Sequence, residues 1–466
     1  MTNPEGKTFK FDYDADGRRV SLGYPNGVQA VYAYDAASQL TQITHMLGSS
    51  LVAFSSYTYD TDGNRLSMGD FAPDNSGPET HSYGYDALNR LTSASHPAAT
   101  NLPILSETFS YDAVGNRLSD AQISGYQYDA ANRLTANSSF TYTYDNNGNR
   151  LSAKNSANQT TSFVYDSANE LIQASMPSGT ATYAYDAFGR RVERSSNTAA
   201  GQPIYYVYDM QDILAEVDGA GDLIALFTHG PGIDEPLEIQ RGDGTDYFLH
   251  ADGLGSIMAV TSSTGGPVER GEYEAYGSPV FIDVRASPTI EAQSFTGSPY
   301  AFTARPFDPE TGLYYNNSRY RDPVTGGFIS PDPLGVIEGG DVDIYSYVLD
   351  QPTNWVDPNG TQVVSPRPPP LWAPPRPLAP GNRPKPQPKK PRPAPSQQPI
   401  APYCKSGPDT SPPPSGNLCW NIGEPSHQII TKSPFLITIC TFECPNGRIF
   451  QREYYFWRQC PPFEEE

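Results

Sequence analysis

The chain has 466 residues, of which 37% are hydrophobic and 18% charged, with 40 Gly, 46 Pro, 31 Tyr and a formal net charge of −21. This composition excludes a helix-rich class in favour of many short strands separated by turns, and no apolar run approaches the roughly 18 residues that span a bilayer. The charge is divided: residues from Ser365 onward carry net +5 and the rest net −26. A body so acidic repels phosphate backbones, which excludes nucleic acid as its partner.

The N-terminal "MTNPEGKTFKFDYD" has neither a basic n-region nor an apolar h-region, so no signal peptide is read. The sequence is repeat-like from "FDYDADGRRV" onward, as in the C-terminal part of a longer product.

Ten copies of aromatic-x-Tyr-Asp follow, with Tyr at 13, 34, 59, 85, 111, 128, 144, 165, 185 and 208. Two aromatics spaced by two share one face of a strand. The Asp ends the strand, because its carboxylate can accept N–H groups of the next turn. Each copy is therefore predicted to be a hairpin. In the first nine, the interval from Asp to the next Leu or Val alternates between six residues (Asp14 to Val20, Asp60 to Leu66) and five (Asp35 to Leu40, Asp86 to Leu91). Gly stands in the longer turn and usually Asn in the shorter, both suited to positive φ. The alternation predicts a two-hairpin unit with bulges in alternate turns. Such hairpins bury nothing alone, so they must join into one curling sheet.

These phrases resemble the YD repeats of the Rhs family, shared with toxin-complex C-subunits and teneurins. The likeness continues through "YFLHADGLGSIMAVTSSTGGPVERGEYEAYGSP" (247–279). It is most specific at "FTARPFDPETGLYYNNSRYRDPVTGGFISPDPLG" (302–335) and "DIYSYVLDQPTNWVDPNG" (343–360), which resemble the Rhs repeat-associated core. The resemblance implies an all-β fold: a spiral sheet curling into a hollow shell, complete or incomplete, around or beside a variable C-terminal domain, often a toxin. The divisions that follow are 1–292 for the shell, 293–360 for the core, 361–418 for a linker and 419–466 for the variable module.

The family also implies self-cleavage of aspartyl-protease type. Carried over by motif, the carboxylates are Asp308 in "FDPETGLYY" and Asp332 in "SPDPLG", and the cleavage site is Asn359, Gly360 and Thr361. Two carboxylates sharing one proton divide the roles of base and acid. The sequence departs from the family at Gly327, where an Arg is usual, and at Thr361, where a large apolar residue is usual. The plain alternative is that these Asp-Pro phrases are turns. His250 and Asp252 beside "GLGS" read as a tight turn rather than a catalytic pair.

From 365 to 414, 20 of 50 residues are Pro, interspersed with Lys and Arg. This stretch is predicted to be an extended spacer, with a ligand for aromatic-lined peptide-binding domains as the alternative. Beyond it, "FLITICTF" and "RIFQREYYFW" read as strands around the turn "ECPNGR". Cys404, Cys419, Cys440, Cys444 and Cys460 are disulfide candidates for an oxidising destination. A zinc site of Cys440, Cys444, His427 and Cys419 is the weaker alternative, and Glu424, Ser426, His427 and Arg448 are the groups available to a toxin active site.

No phosphate-loop, HExxH or GxSxG signature occurs, and no cofactor is read. The sequence thus predicts a bacterial, secreted or cell-surface shell scaffold for its own C-terminal domain. The partners implied are a secretion-system or N-terminal plug component and an immunity protein, with no membrane insertion. Two other classes stay open: a teneurin-like recognition protein binding a glycan or cell-surface protein without cleavage, and a truncated array without activity.

Overall fold

The structure is a computed structural model. It describes residues 1–71, 78–97, 104–197, 202–285, 288–335 and 343–365, and short strands only beyond them. The chain divides into two compact units, Met1–Pro375 and Arg376–Glu466.

The first unit is an antiparallel meander in which neighbours in sequence are neighbours in space. Nine strands run from Lys10–Tyr13 to Glu107–Thr108. Ser110–Tyr111 then pairs with Arg117–Ser119, and seventeen strands run from Gln127–Tyr128 to Thr289–Glu291. Both long sheets are linear in strand order, so neither closes on itself. Two short 3-10 turns, Phe302–Ala304 and Val348–Asp350, interrupt the strands.

Every YD phrase closes a hairpin, and the first nine hairpins share one geometry. At Asp60 the backbone N–H donates to the Asn64 carbonyl and Gly63 N–H donates back to Asp60, at 2.9 and 3.3 Å. Asp86, Arg90 and Asn89 repeat this at 3.0 and 2.9 Å. Gly63 has φ +90° and Asn89 φ +63°, so the third residue after the Asp is left-handed in both turns. Every one of these Asp residues except Asp145 also takes two turn N–H groups on one carboxylate oxygen, as Asp86 does from Leu88 and Arg90. This geometry corrects the expectation of bulges in alternate turns, because the register slips at every one: Tyr13 faces Arg19, Tyr34 faces Leu40, Tyr59 faces Arg65 and Tyr85 faces Leu91, all six residues on.

What alternates is the residue at that bulge. In one kind of hairpin it is an inward arginine: Arg19, Arg65, Arg117, Arg150 and Arg191 are all buried. In the other it is an inward leucine, with Leu91, Leu134 and Leu171 buried and Leu40 partly so. The six-residue spacing counted to the exposed residue after the arginine, as Leu66 and Leu151 show.

The bulge explains why tyrosine returns. The carbonyl of every bulged residue but Arg150 accepts the tyrosine hydroxyl of the next hairpin, as from Tyr34 to Arg19 at 2.9 Å, Tyr59 to Leu40 at 2.6 Å, Tyr111 to Leu91 at 2.7 Å, Tyr128 to Arg117 at 2.8 Å and Tyr208 to Arg191 at 2.7 Å. A buried carbonyl costs free energy unless it is paired, so the pattern satisfies these hairpins from their successors.

The meander curls, because distant strands share cores. Phe9, Leu22, Val28 and Ile43 pack with Leu237, Phe248 and Ala259, and Tyr24 donates to the Leu249 carbonyl at 3.0 Å. The segment after the sheet turns inward onto the wall. Its four strands, Phe307–Asp308, Leu313–Asn316, Arg319–Asp322 and Gly327–Phe328, place Leu313, Tyr315 and Tyr320 against Phe163, Leu171 and Tyr183. Tyr276, Phe302, Tyr314 and Tyr347 pack on Leu91 and Phe109.

In the second unit, Leu436–Glu443 pairs antiparallel with Ile449–Tyr455, as the two strand-like phrases predicted. Ser426–Ile429, Cys419–Asn421 and Phe463–Glu464 make it a five-stranded sheet, three strands more than those two phrases. The turn between the first two strands lies outside the described residues.

Candidate functional site

Strand Leu313–Asn316 ends in a turn through Asn317 (φ +57°) into Arg319–Asp322. Four consecutive side chains of this hairpin hold four consecutive carbonyls of 357–360. Asn316 Nδ2 donates to Asp357 at 2.7 Å, Asn317 Nδ2 to Pro358 at 3.2 Å, Ser318 Oγ to Asn359 at 2.6 Å, and Arg319 Nε to Gly360. The held segment is itself a loop, closed where Val356 and Val364 exchange both backbone hydrogen bonds at 3.0 and 2.8 Å. Gly360 has φ +70°, and a Cβ there would lie 2.5 Å from the Asn316 carbonyl oxygen. Only glycine allows so close an approach at that backbone angle.

Arg319 is the centre of this clasp. It is 4% exposed, lies 3.5 Å over the Phe328 ring, and donates Nη1 to the Ile344 carbonyl at 3.0 Å. Its Nη2 meets Asp332 Oδ2 at 3.0 Å and Asp357 Oδ2 at 3.4 Å. The two carboxylates are therefore no further apart than those two bonds laid end to end. Burial pulls the guanidinium below its ordinary value while Asp332 and Asp357 oppose that shift. The other oxygen of Asp357 accepts the N–H groups of Thr361 and Gln362, both at 3.0 Å. The peptide between Gly360 and Thr361 is thus held at both ends, its carbonyl on a cation and its nitrogen on a carboxylate. Asp343 lines the same recess, with Thr361, Gln362 and Val363.

Of the residues expected from motif, the structure brings Asp332, Gly360 and Thr361 into this site, with Asn359 on Ser318. Asp308 has different partners. It is fully buried, with Oδ2 at 2.5 Å from Arg191 and Oδ1 at 3.1 Å from Arg194, and Arg191 also lies 4.5 Å from the Tyr315 ring. Asp308 and Asp332 thus answer to different arginines, and the carboxylate that shares a guanidinium with Asp332 is Asp357.

The cation expected at Gly327 is not needed there, because Arg319 supplies one. Gly327 pairs with Asp322 and bridges Ser346, where a Cβ would come within 2.9 Å of the Tyr345 carbonyl oxygen. The signal for Arg319 was available in "NNSRYRDP": Arg319 and Arg321 are two apart on a strand, so both point to one face, and both are buried.

The teneurin YD-shell family model matches residues 34–336, and the RHS repeat model matches residues 13–50. The chain belongs to the teneurin YD-shell family. This YD shell is 28% identical over 308 residues to the double-stranded DNA deaminase toxin A of Burkholderia cenocepacia, covering 60% of this chain and 20% of that protein. It is 28% identical over 334 residues to the tRNA nuclease WapA of Bacillus subtilis, covering 71% of this chain and 12% of that protein. Among solved structures it is similar to the Tc holotoxin pore of Photorhabdus luminescens, with a TM-score of 0.57 at 19% identity, over 76% of this chain and 19% of that one. That last likeness is one of fold, and the chain spans a fifth or less of these proteins' length.

Elsewhere in the YD shell, His250 and Asp252 form the tight turn expected of them. Asp252 Oδ1 accepts Leu254 and Ser256 N–H, both at 2.8 Å, and His250 Nε2 lies 2.8 Å from Thr261 Oγ1, its burial holding it well below the usual histidine range. In the second unit, the strand register sets His427 opposite Thr438, Cys440 opposite Arg452 and Cys419 opposite Glu464. Ser426 lies opposite Ile439. The Cys404, Cys444, Cys460, Glu424 and Arg448 positions lie outside the described residues, as do all side chains of this unit, so neither disulfides nor the zinc alternative has a geometry here.

Proposed function

We propose that this chain is the shell scaffold of a polymorphic toxin, and that it cuts itself free of its C-terminal module between Gly360 and Thr361. The observation that carries this reading is the double hold on that one peptide bond, with Asp332 and Asp357 on a single buried guanidinium. One cation and two carboxylates sharing one proton are electrically neutral, which suits a buried site better than two free negative charges.

The steps then follow from position. Asp332, ionised, takes a proton from a water that attacks the Gly360 carbonyl carbon. The oxygen gains negative charge against Arg319 Nε, the kind of aimed donor that stabilises such an intermediate. As the carbon becomes tetrahedral, the Asp357 carboxyl lying against the Thr361 nitrogen passes the shared proton to it, and the C–N bond breaks to leave a carboxylic acid at 360, which gives up its proton to the new amine at 361. Asn316, Asn317 and Ser318 hold the loop in place.

The curated relatives support the scaffold role, since their names assign a DNA deaminase and a tRNA nuclease to proteins that share this shell. The variable module here is 419–466, reached through the linker 361–418, and its release calls for an immunity protein and a secretion-system or plug component as partners of a secreted or cell-surface bacterial protein. Among the described residues no helix is long and apolar enough to cross a membrane.

Intact-mass spectrometry of the purified full chain tests the reading. Fragments meeting at 360 and 361, absent in Asp357→Asn, are expected. A chain that stays whole while folded, or one that splits equally well as Asp357→Asn, contradicts it.

A further inference from the structure

Neither the turns nor the clasp uses a group of titratable side chains that meet across the curl. Asp70 comes from strand Arg65–Phe71, His81 from Pro78–Tyr85, and Glu272 from the distant Pro267–Tyr273. Each offers a ligand atom, and the three atoms lie within 4.8 Å of one another. Asp70 and His81 are buried, with side chains 7% and 9% exposed.

A second observation concerns the orientation of the imidazole. His81 Nδ1 lies 2.7 Å from Nδ1 of His96, so one ring donates to the other, and His96 Nε2 faces Glu107 Oε2 at 3.4 Å. When His81 is the donor, its Nε2 points a lone pair at both oxygens of Asp70, each 3.2 Å away. A lone pair against a carboxylate is repulsive unless a cation stands between them, and metal-binding histidines are fixed in this way by a partner on the other ring nitrogen. Arg270 stands two residues before Glu272 on the same strand. Arg270 is itself directed to the Val52 carbonyl at 3.4 Å. A cavity of about 60 Å³ beside the three groups has room for water to complete a coordination shell.

We propose that Asp70, His81 and Glu272 bind one divalent transition-metal ion of the zinc type, which pins the early hairpins to the late wall. One imidazole nitrogen with two carboxylates and water suits Zn2+, Co2+ or Mn2+ rather than a thiophilic ion, and too few oxygens are gathered for calcium. The ion's ligands join the paired strands Arg65–Phe71 and Pro78–Tyr85 to the distant strand Pro267–Tyr273, so its binding free energy adds to that of the curled state.

Cobalt(II) is the probe. Titrated into the metal-free full chain, it is expected to bind at one equivalent with visible absorption of nitrogen–oxygen ligation, to be displaced by Zn2+, and to raise the thermal midpoint. His81→Gln and the near-isosteric Glu272→Gln are each expected to abolish the absorption and the thermal shift while keeping the β-type circular dichroism of the parent. Failure of the folded parent to bind cobalt overturns the proposal. So does binding that survives both substitutions, or binding that shows thiolate charge-transfer bands, which would place the ion on the C-terminal cysteines.

Discussion

The wall and the clasp are built from the same parts, aspartate turns and arginines, arranged to opposite effect. In the wall, Asp14–Arg18, Asp86–Arg90, Asp129–Arg133 and Asp186–Arg190 are local pairs four residues apart, each partly open to solvent. Their guanidinium groups reach sideways to the next turn, as Arg90 does to the Asp112 carbonyl at 2.7 Å. In the clasp, Arg319 draws its two carboxylates from 13 and 38 residues away into a buried recess. A repeated, solvated pair contributes little singly and serves as scaffold. A buried one cannot be left incomplete, and its charges act strongly on whatever peptide lies against them. Asp308 stands between these cases: it is as buried as the clasp, and it ties the inner strands to the wall through Arg191 and Arg194.

Five substitutions sharpen that contrast. The largest effect is expected from Asp308→Ala, which strands Arg191 in the interior and should cost about 3–5 kcal/mol of stability, read as a fall in the urea midpoint. A loss below about 1 kcal/mol, the range of an exposed pair, would move Asp308 into the class of the turn aspartates. Next, Leu91→Ala empties an inward position of the other hairpin kind, at 0% exposure, and should cost about 2–5 kcal/mol in the same measurement.

The tyrosine ladder predicts a smaller, position-dependent effect. Tyr144 donates to the Leu134 carbonyl at 2.8 Å, whereas the Tyr165 hydroxyl is buried without a partner. Tyr144→Phe should cost about 0.5–1.5 kcal/mol and Tyr165→Phe nothing measurable or a slight gain. Equal losses at both would remove the ladder as the reason for the repeat.

The smallest concerns Glu170, which occupies the turn position held elsewhere by Arg90 or Arg133. Burial first, then Asp166, raises its carboxyl from 4.5 to about 7. A raised acid stabilises the fold while protonated, so its contribution is whole below about pH 4.5 and is lost as the pH rises through about 7. Glu170→Gln should flatten the stability profile over that window and leave it unchanged at lower pH. An unaltered slope would show that this glutamate does not feel its neighbours.

Much of this fold is written locally. Two rings spaced by two and an aspartate after them name a strand, its face and its end, and nine turns follow from that phrase alone. The alternation was visible too, but its meaning was not: counting to the next Leu or Val hid that Tyr13 to Arg19 and Tyr34 to Leu40 are the same step. A bulge decides which side chain points inward, and a bulge is a property of paired strands rather than of one sequence. The clasp was legible in part. Asp332 and the bond after Gly360 were found by motif, whereas Arg319, Asn316 and the role of Asp357 depend on a loop returning 41 residues later to lie beside a strand end. The motif offered Asp308 as well, but an Asp-Pro phrase gives no sign of which arginine will meet it, and here those are Arg191 and Arg194.

The most direct test sets Asp308 and Asp332 against each other. Full-length chains carrying Asp308→Asn or Asp332→Asn, each checked by circular dichroism for a folded shell, are incubated side by side and weighed intact. Division at Gly360–Thr361 in Asp308→Asn, with Asp332→Asn remaining whole, is the predicted result. An intact, folded Asp308→Asn beside a dividing Asp332→Asn would contradict the assignment of chemistry to the Arg319 clasp.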